Sequence, residues 1–120
     1  MIKVNVSNKT RSLDKPLRVK NCDTFICRLR GLMFQNDLDM NGGLLLVQKN
    51  ESRSKAAIHM FFVGMDLGII WLNKDRKIVD IQLAESWKPI YTPQLPAQYI
   101  LEINPLRMPE FNIGDELDFE

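Results

Sequence analysis

The sequence predicts a mainly β fold, a compact β-barrel or sandwich of about eight short strands with one or two short helices. Three observations lead there. Most segments alternate apolar and polar residues with a period of two, as half-buried strands do. Two short apolar runs, residues 44–47 and 68–72, are unbroken, as expected of central strands covered on both faces. Only one stretch carries helical spacing. The 120 residues are 45% hydrophobic and 26% charged, the balance of an ordinary globular chain, and read as a single domain over 1–120.

Taken in order, Ile2, Val4 and Val6 alternate with polar residues, and Leu17 and Val19 repeat the pattern after Pro16. The helix follows: Asp23 is placed to cap it, Phe25, Leu29 and Leu32 share one face, and Gly31 stands where a helix can end. Beyond the central run at 68–72, the polar segment NKDRK forms a hairpin connection. Val79, Ile81 and Leu83 then alternate with Ile78, Asp80 and Gln82, and Tyr99, Leu101 and Ile103 alternate with Ile100 and Glu102. A second helical turn fits between Pro105 and Asn112, limited by Pro109. The terminal GDELDFE reads as a turn and a short strand with Leu117 and Phe119 inward. Residues 35–43, 49–55 and 86–96 are the expected loops.

The net charge of +1 hides an asymmetry. Residues 1–30 hold eight Lys/Arg against two acids, whereas residues 31–120 hold eight against thirteen. Basic N-terminal strands lying beside an acidic C-terminal one would pair these charges across the ladder. A nucleic-acid surface is the weaker explanation, because the basic residues are scattered without aromatics to stack bases and the pI of about 7.8 is low for that role. No apolar run is long enough to span a bilayer, and the N-terminal residues show no apolar export core, so a cytoplasmic protein is expected. Cys22 and Cys27, five apart, suit neither one strand face nor one helix face, and are expected as two reduced thiols. One His and two Cys supply no soft ligand set for zinc, and no cofactor is expected.

The run IHMFFVGMDLGIIWLN (residues 58–73) is the most informative stretch. It is apolar enough to be mostly buried, yet it holds the only His of the chain, His59, and one carboxylate, Asp66. Polar groups in such a run are either satisfied by partners or placed for chemistry.

Several motifs, in order along nearly the whole chain, carry a resemblance. RLRGLMF (residues 28–34) resembles an R-x-x-G-L-M signature, GGLLLVQ follows it, and the 58–73 run resembles a motif of a His or Trp before an aromatic run. PAQYILEI resembles a Pro-Ala-x-Tyr-Val-Leu-Glu strand, and IGDEL a Gly-Asp turn. Together they resemble the family of the domain of unknown function 192. The resemblance implies a small mainly β prokaryotic domain and no established reaction. Its characteristic residues fall on Arg28, Gly31, Leu32, Met33 and His59, then on Asn73, Pro96, Tyr99, Glu102 and Gly114. The chain departs from the pattern at Gly68, where the family carries an Asp; Asp66, two residues earlier, lies on the same strand face and is a possible substitute. Cys27 and Asn73 also stand where the family carries acids.

The chemistry of the remaining candidates is sparse. His59 with Asp66 suits an acid–base pair, and Arg28 suits a carboxylate or phosphate grip. Against that, a position that accepts His or Trp fits a ring that packs and donates one hydrogen bond, and Arg28 can fold back on strand carbonyls. No serine stands in a nucleophile elbow, and neither cysteine has a second His to activate it. The loop SWKPIYTPQLP instead offers rigid aromatics for binding, or a lid over a barrel end. The expectation is therefore a non-catalytic domain that binds a small molecule or a protein, through Arg28, His59, Trp87, Tyr91 and Tyr99. The alternative is a metal-independent hydrolase or lyase using His59, Asp66 and Arg28. Neither a nucleic acid nor a membrane is an expected partner.

Overall fold

The period-two segments pair into one curled sheet, because each strand has an apolar side to hide and the chain supplies cover for both faces. The computed structural model describes residues 2–120. Its strands are β1 (Lys3–Asn8), β2 (Leu17–Cys22), β3 (Gly43–Ser52), β4 (Ile58–His59), β5 (Leu67–Leu72), β6 (Ile78–Ala84), β7 (Ile90–Tyr91), β8 (Ala97–Ile103) and β9 (Leu117–Phe119). Helix α1 (Phe25–Arg30) lies between β2 and β3, and a 3-10 helix (Pro105–Glu110) between β8 and β9. Seven strands form the sheet in the order β6-β5-β8-β3-β2-β1-β9, and β4 pairs separately with β7. Within the sheet only β2 and β3 run parallel, and α1 provides their crossover.

The barrel or sandwich expected from the sequence is a half-barrel, closed at one corner. There Ile78 N donates to Asp115 O at 2.9 Å, Gly114 N to Ile78 O at 2.9 Å and Leu117 N to Arg76 O at 2.9 Å. The inner face packs Leu17, Val19, Leu45, Ile70, Leu101 and Ile103. The outer face packs Leu44, Leu46, Ile69, Trp71 and Ile100 against Leu32, Ile58 and Met60 from the covering segments. All six residues of β5 are buried, which is why that strand reads as an unbroken apolar run. Gly68 on β5 admits no side chain, since a Cβ there would stand 2.5 Å from Met108 Cγ of the 3-10 helix.

Two of the N-terminal basic residues pair with C-terminal acids. β1 pairs with β9, and Lys9–Glu116 and Arg11–Asp115 close at 2.9 Å each beside that ladder. Burial pushes the Asp115 carboxyl up, but hydrogen bonds from Arg11, Asn8 and Asn112 N together hold it below the usual carboxylate range.

Several expectations are corrected. Cys22 and Cys27 form a disulfide with Cα atoms 5.5 Å apart. They belong to neither one strand nor one helix: β2 ends at Cys22, the chain turns, and α1 brings Cys27 back. The helix cap is Thr24, whose Oγ1 accepts from Cys27 N at 3.2 Å, rather than Asp23. Phe25 and Leu29 remain 69% and 56% exposed, so the helix seals less than its apolar spacing promised. In β6 a register shift opposite Trp71 and Leu72 sends Ile78 inward, and at the other end of the strand Leu83 is exposed. Residues 49–52 extend β3, and residues 86–96 include β7. Glu102, read as the polar side of its strand, is 5% exposed.

Candidate functional site

A strand buries residues on both sides only when both faces are covered, and β8 is such a strand in its last four positions. Leu101 and Ile103 point to the inner face, so Ile100 and Glu102 point to the outer one. Glu102 lies between Leu44 of β3 and Ile69 of β5, both buried and apolar. Its side chain accepts no hydrogen bond from the described residues. Desolvation raises its pKa from 4.5 to about 7.

Glu102 lines a cavity of about 520 Å³ between the outer face and its cover. The walls are mainly aliphatic, from Leu32, Leu46, Met60, Val63, Leu67 and Ile100. Leu29 and Phe25 stand at its opening, and Arg28, Arg30, Lys49 and Lys55 also border it. Such a volume, with apolar walls and few polar groups, has the dimensions of a small-molecule site.

Two further polar groups belong to the same lining. His59 places Nε2 3.1 Å from Leu29 O. A carbonyl only accepts, so Nε2 carries a proton; in the neutral ring Nδ1 then offers a lone pair, and that atom is buried without a partner. Gln48 Nε2 donates to Lys55 O, which leaves Oε1 buried and unpaired as well. Arg28 Nη1 donates to Asp23 O at 2.6 Å and Val47 O at 3.2 Å, tying α1 to β3. Together with the disulfide this fixes the helix over the cavity. Gly31, at φ +50°, ends the helix, and its N–H donates to Cys27 O.

Of the residues expected to bind, Arg28 and His59 line the cavity together. Asp66 does not join them: it is exposed and its Oδ1 accepts from Ser86 N at 2.9 Å, holding a turn. Tyr91 pairs with Ile58 and its hydroxyl accepts from Glu85 N, so it braces the cover. Tyr99 is on the other face, 5.5 Å from the Phe119 ring and beneath Arg76. Trp87 is 56% exposed and meets Phe62 edge-on at 5.2 Å, and Phe62 stacks on Phe34 at 5.3 Å. Phe34, Phe62 and Trp87 all hold positive φ, near +65°, an uncommon conformation for aromatic residues. Among the described residues no three His, Cys, Asp or Glu side chains are grouped to hold a metal ion.

Sequence reasoning missed Glu102 and Gln48 as site residues. For Glu102 a signal existed: it is an acid flanked by Leu101 and Ile103 in a strand with apolar residues on both sides. Gln48 carried none, since a glutamine at the end of an apolar run looks solvated.

Residues 6–119 match the family of the domain of unknown function 192, described as an uncharacterized ACR. The chain belongs to this family. It is similar to the UPF0127 protein TK1120 of Thermococcus kodakarensis, with 39% identity over 92% of this chain and 69% of that protein. The UPF0127 protein of Thermococcus sibiricus is 38% identical over 94% of this chain and 73% of its own length. Two crystal structures share the fold at 20% identity. One is a proposed transcription regulator of Sinorhizobium meliloti, with a TM-score of 0.82 over 98% of this chain and 92% of that one. The other is a protein of unknown function from Novosphingobium aromaticivorans, with a TM-score of 0.80 over 98% and 84%. Five residues that the family motifs single out, Arg28, Gly31, Leu32, His59 and Glu102, line this cavity.

Proposed function

We propose that this member of the domain of unknown function 192 family is a non-catalytic binding protein that takes a small molecule into the cavity under α1. The observation that carries the reading is an open, aliphatic space of about 520 Å³ with Glu102, His59 and Gln48 in its lining and no protein partner for their free acceptors. Unpaired buried polar atoms cost free energy, and a ligand that supplies donors recovers it. The hydrolase or lyase alternative has less support, because Asp66 is spent on Ser86 N outside the cavity.

Prodan, a neutral naphthalene dye without a hydrogen-bond donor, tests the cavity. The expected result is a saturable one-to-one blue shift of its emission, weakened at least tenfold by Ala57→Phe, which adds bulk to the lining. No saturable shift, or a shift insensitive to Ala57→Phe, rejects the reading.

The exposed Phe34, Phe62 and Trp87 cluster favours a second reading, a protein-docking patch. Exposed aromatics held in fixed conformations bind at low ordering cost. Prodan binding lost on Trp87→Ala but kept on Ala57→Phe would favour the patch over the cavity.

A further inference from the structure

The polarity of the cavity narrows its ligand. Its two buried unpartnered atoms are Gln48 Oε1 and His59 Nδ1, an acceptor in the neutral ring, and no hydrogen bond from the described residues reaches the Glu102 carboxyl. No buried side-chain donor in the lining lacks a partner among the described residues. The border has the opposite sign. Arg28 and Arg30 come from α1, Lys49 from the end of β3 and Lys55 from the segment before β4, and Glu102 is the one carboxylate of the lining. The sheet neighbours of Glu102, Leu44 and Ile69, are apolar. The cavity is thus negative and acceptor-rich along the sheet, greasy in its walls and positive where Arg30, Lys49 and Lys55 are exposed.

We infer that the cavity binds an amphipathic primary amine, inserted nitrogen-first so that its ammonium donates to Glu102, with an anionic group at the far end facing the basic border. This rests on the cavity reading and specifies its ligand class. An ammonium brings three N–H donors and no acceptor, which suits the unpaired acceptors on the sheet side of the cavity. A charge-assisted hydrogen bond to a carboxylate within apolar walls is stronger than a neutral one. The basic border disfavours a plain alkylamine on entry. A carboxylate at the other end offsets that repulsion, so an ω-amino acid complements both charges. A simple fatty acid satisfies only the border and leaves Glu102 bare. Burial holds the free Glu102 carboxyl near neutrality, so amine binding, which needs the carboxylate, tightens as pH rises through about 7.

The test is calorimetric titration with 8-aminooctanoate, octylamine and octanoate at pH 7.5, repeated at pH 6 and with Glu102→Gln. Prodan binding serves as the measure of an intact cavity. The expected order is 8-aminooctanoate tightest, then octylamine, with octanoate weakest. Glu102→Gln should weaken 8-aminooctanoate at least tenfold and abolish its gain in affinity from pH 6 to 7.5, with an unchanged circular dichroism spectrum showing that the variant is folded. Octanoate binding as tightly as 8-aminooctanoate overturns the inference, as does an effect of Glu102→Gln below twofold. Prodan binding without any amine binding also overturns it while leaving the cavity reading in place. Failure of prodan itself rejects both.

Discussion

Around the 3-10 helix and the turn before β9, at the end of the inner core, buried polar groups meet partners. Arg107, 3% exposed, is clamped by Glu110, Met40 O and Lys15 O, and Asp115 accepts from Arg11 and Asn8. The Arg107 hydrogen bond is the largest influence on Glu110 and holds its carboxyl below the usual range. On the outer face, Glu102 is as deeply buried but accepts nothing, and His59 and Gln48 each leave an acceptor bare. The covers differ too. The inner face closes on itself through strand edges that hydrogen-bond at one corner, whereas the outer face is roofed by a six-residue helix whose apolar residues stay partly in water. One face is built to be full and the other to be filled by something else.

Core truncation tests that difference most strongly. Leu101→Ala, in the filled inner face, should cost about 4 kcal/mol, near the upper part of the range for buried leucines. Leu46→Ala, which lines the outer cavity, should cost about 2 kcal/mol, because it enlarges an existing opening rather than creating a void. Urea denaturation with unchanged slopes measures both; equal losses would mean that the two faces are equally packed.

Acidity separates the faces next. The folded pKa of Glu102 lies above its unfolded value, so its contribution is fully present below about 4.5 and is lost as pH rises through about 7. The fall is about 3 kcal/mol, from 1.36 kcal/mol per pKa unit. Glu110 and Asp115 are depressed, so theirs is present above the ordinary carboxylate range and lost as pH falls through their lowered values. Stability should therefore decline at both ends, and Glu102→Gln should remove only the decline toward neutral pH. An unchanged profile in that variant would show that Glu102 is solvated or paired.

The smallest of these effects concerns the roof. The Cys22–Cys27 disulfide closes a loop of only a few residues, so its reduction should cost about 2 kcal/mol by chain entropy. Hydrogen exchange should localise the loosening to α1 and the cavity, with the inner strands unaffected. Equal loss of protection in β1 and β9 would contradict a local role.

Much of the frame was legible in the sequence because strand burial repeats every two residues and central strands lose their polar side. The unbroken run at 68–72 marked β5, NKDRK marked the β5–β6 hairpin, and the opposed charges of the two chain ends marked the β1–β9 ladder. The family motifs likewise named Arg28, His59 and Glu102 without saying that they share a space. What pattern alone misjudged were features made by contacts across long separations. The register shift in β6 reversed Val79 and Ile78, because a bulge is set by the partner strand and not by the alternation itself. The cysteines looked mismatched since spacing rules assume one continuous element, and here the chain turns between two. Glu102 followed the alternation faithfully, yet the face it pointed to was roofed by α1 and β4, segments more than forty residues away in sequence. The sequence by itself determined the long strands of the main sheet, the hairpin and the family. Only the tertiary structure decided that the outer face is covered but not filled, because burial depends on what packs above a residue and not on its neighbours in the chain.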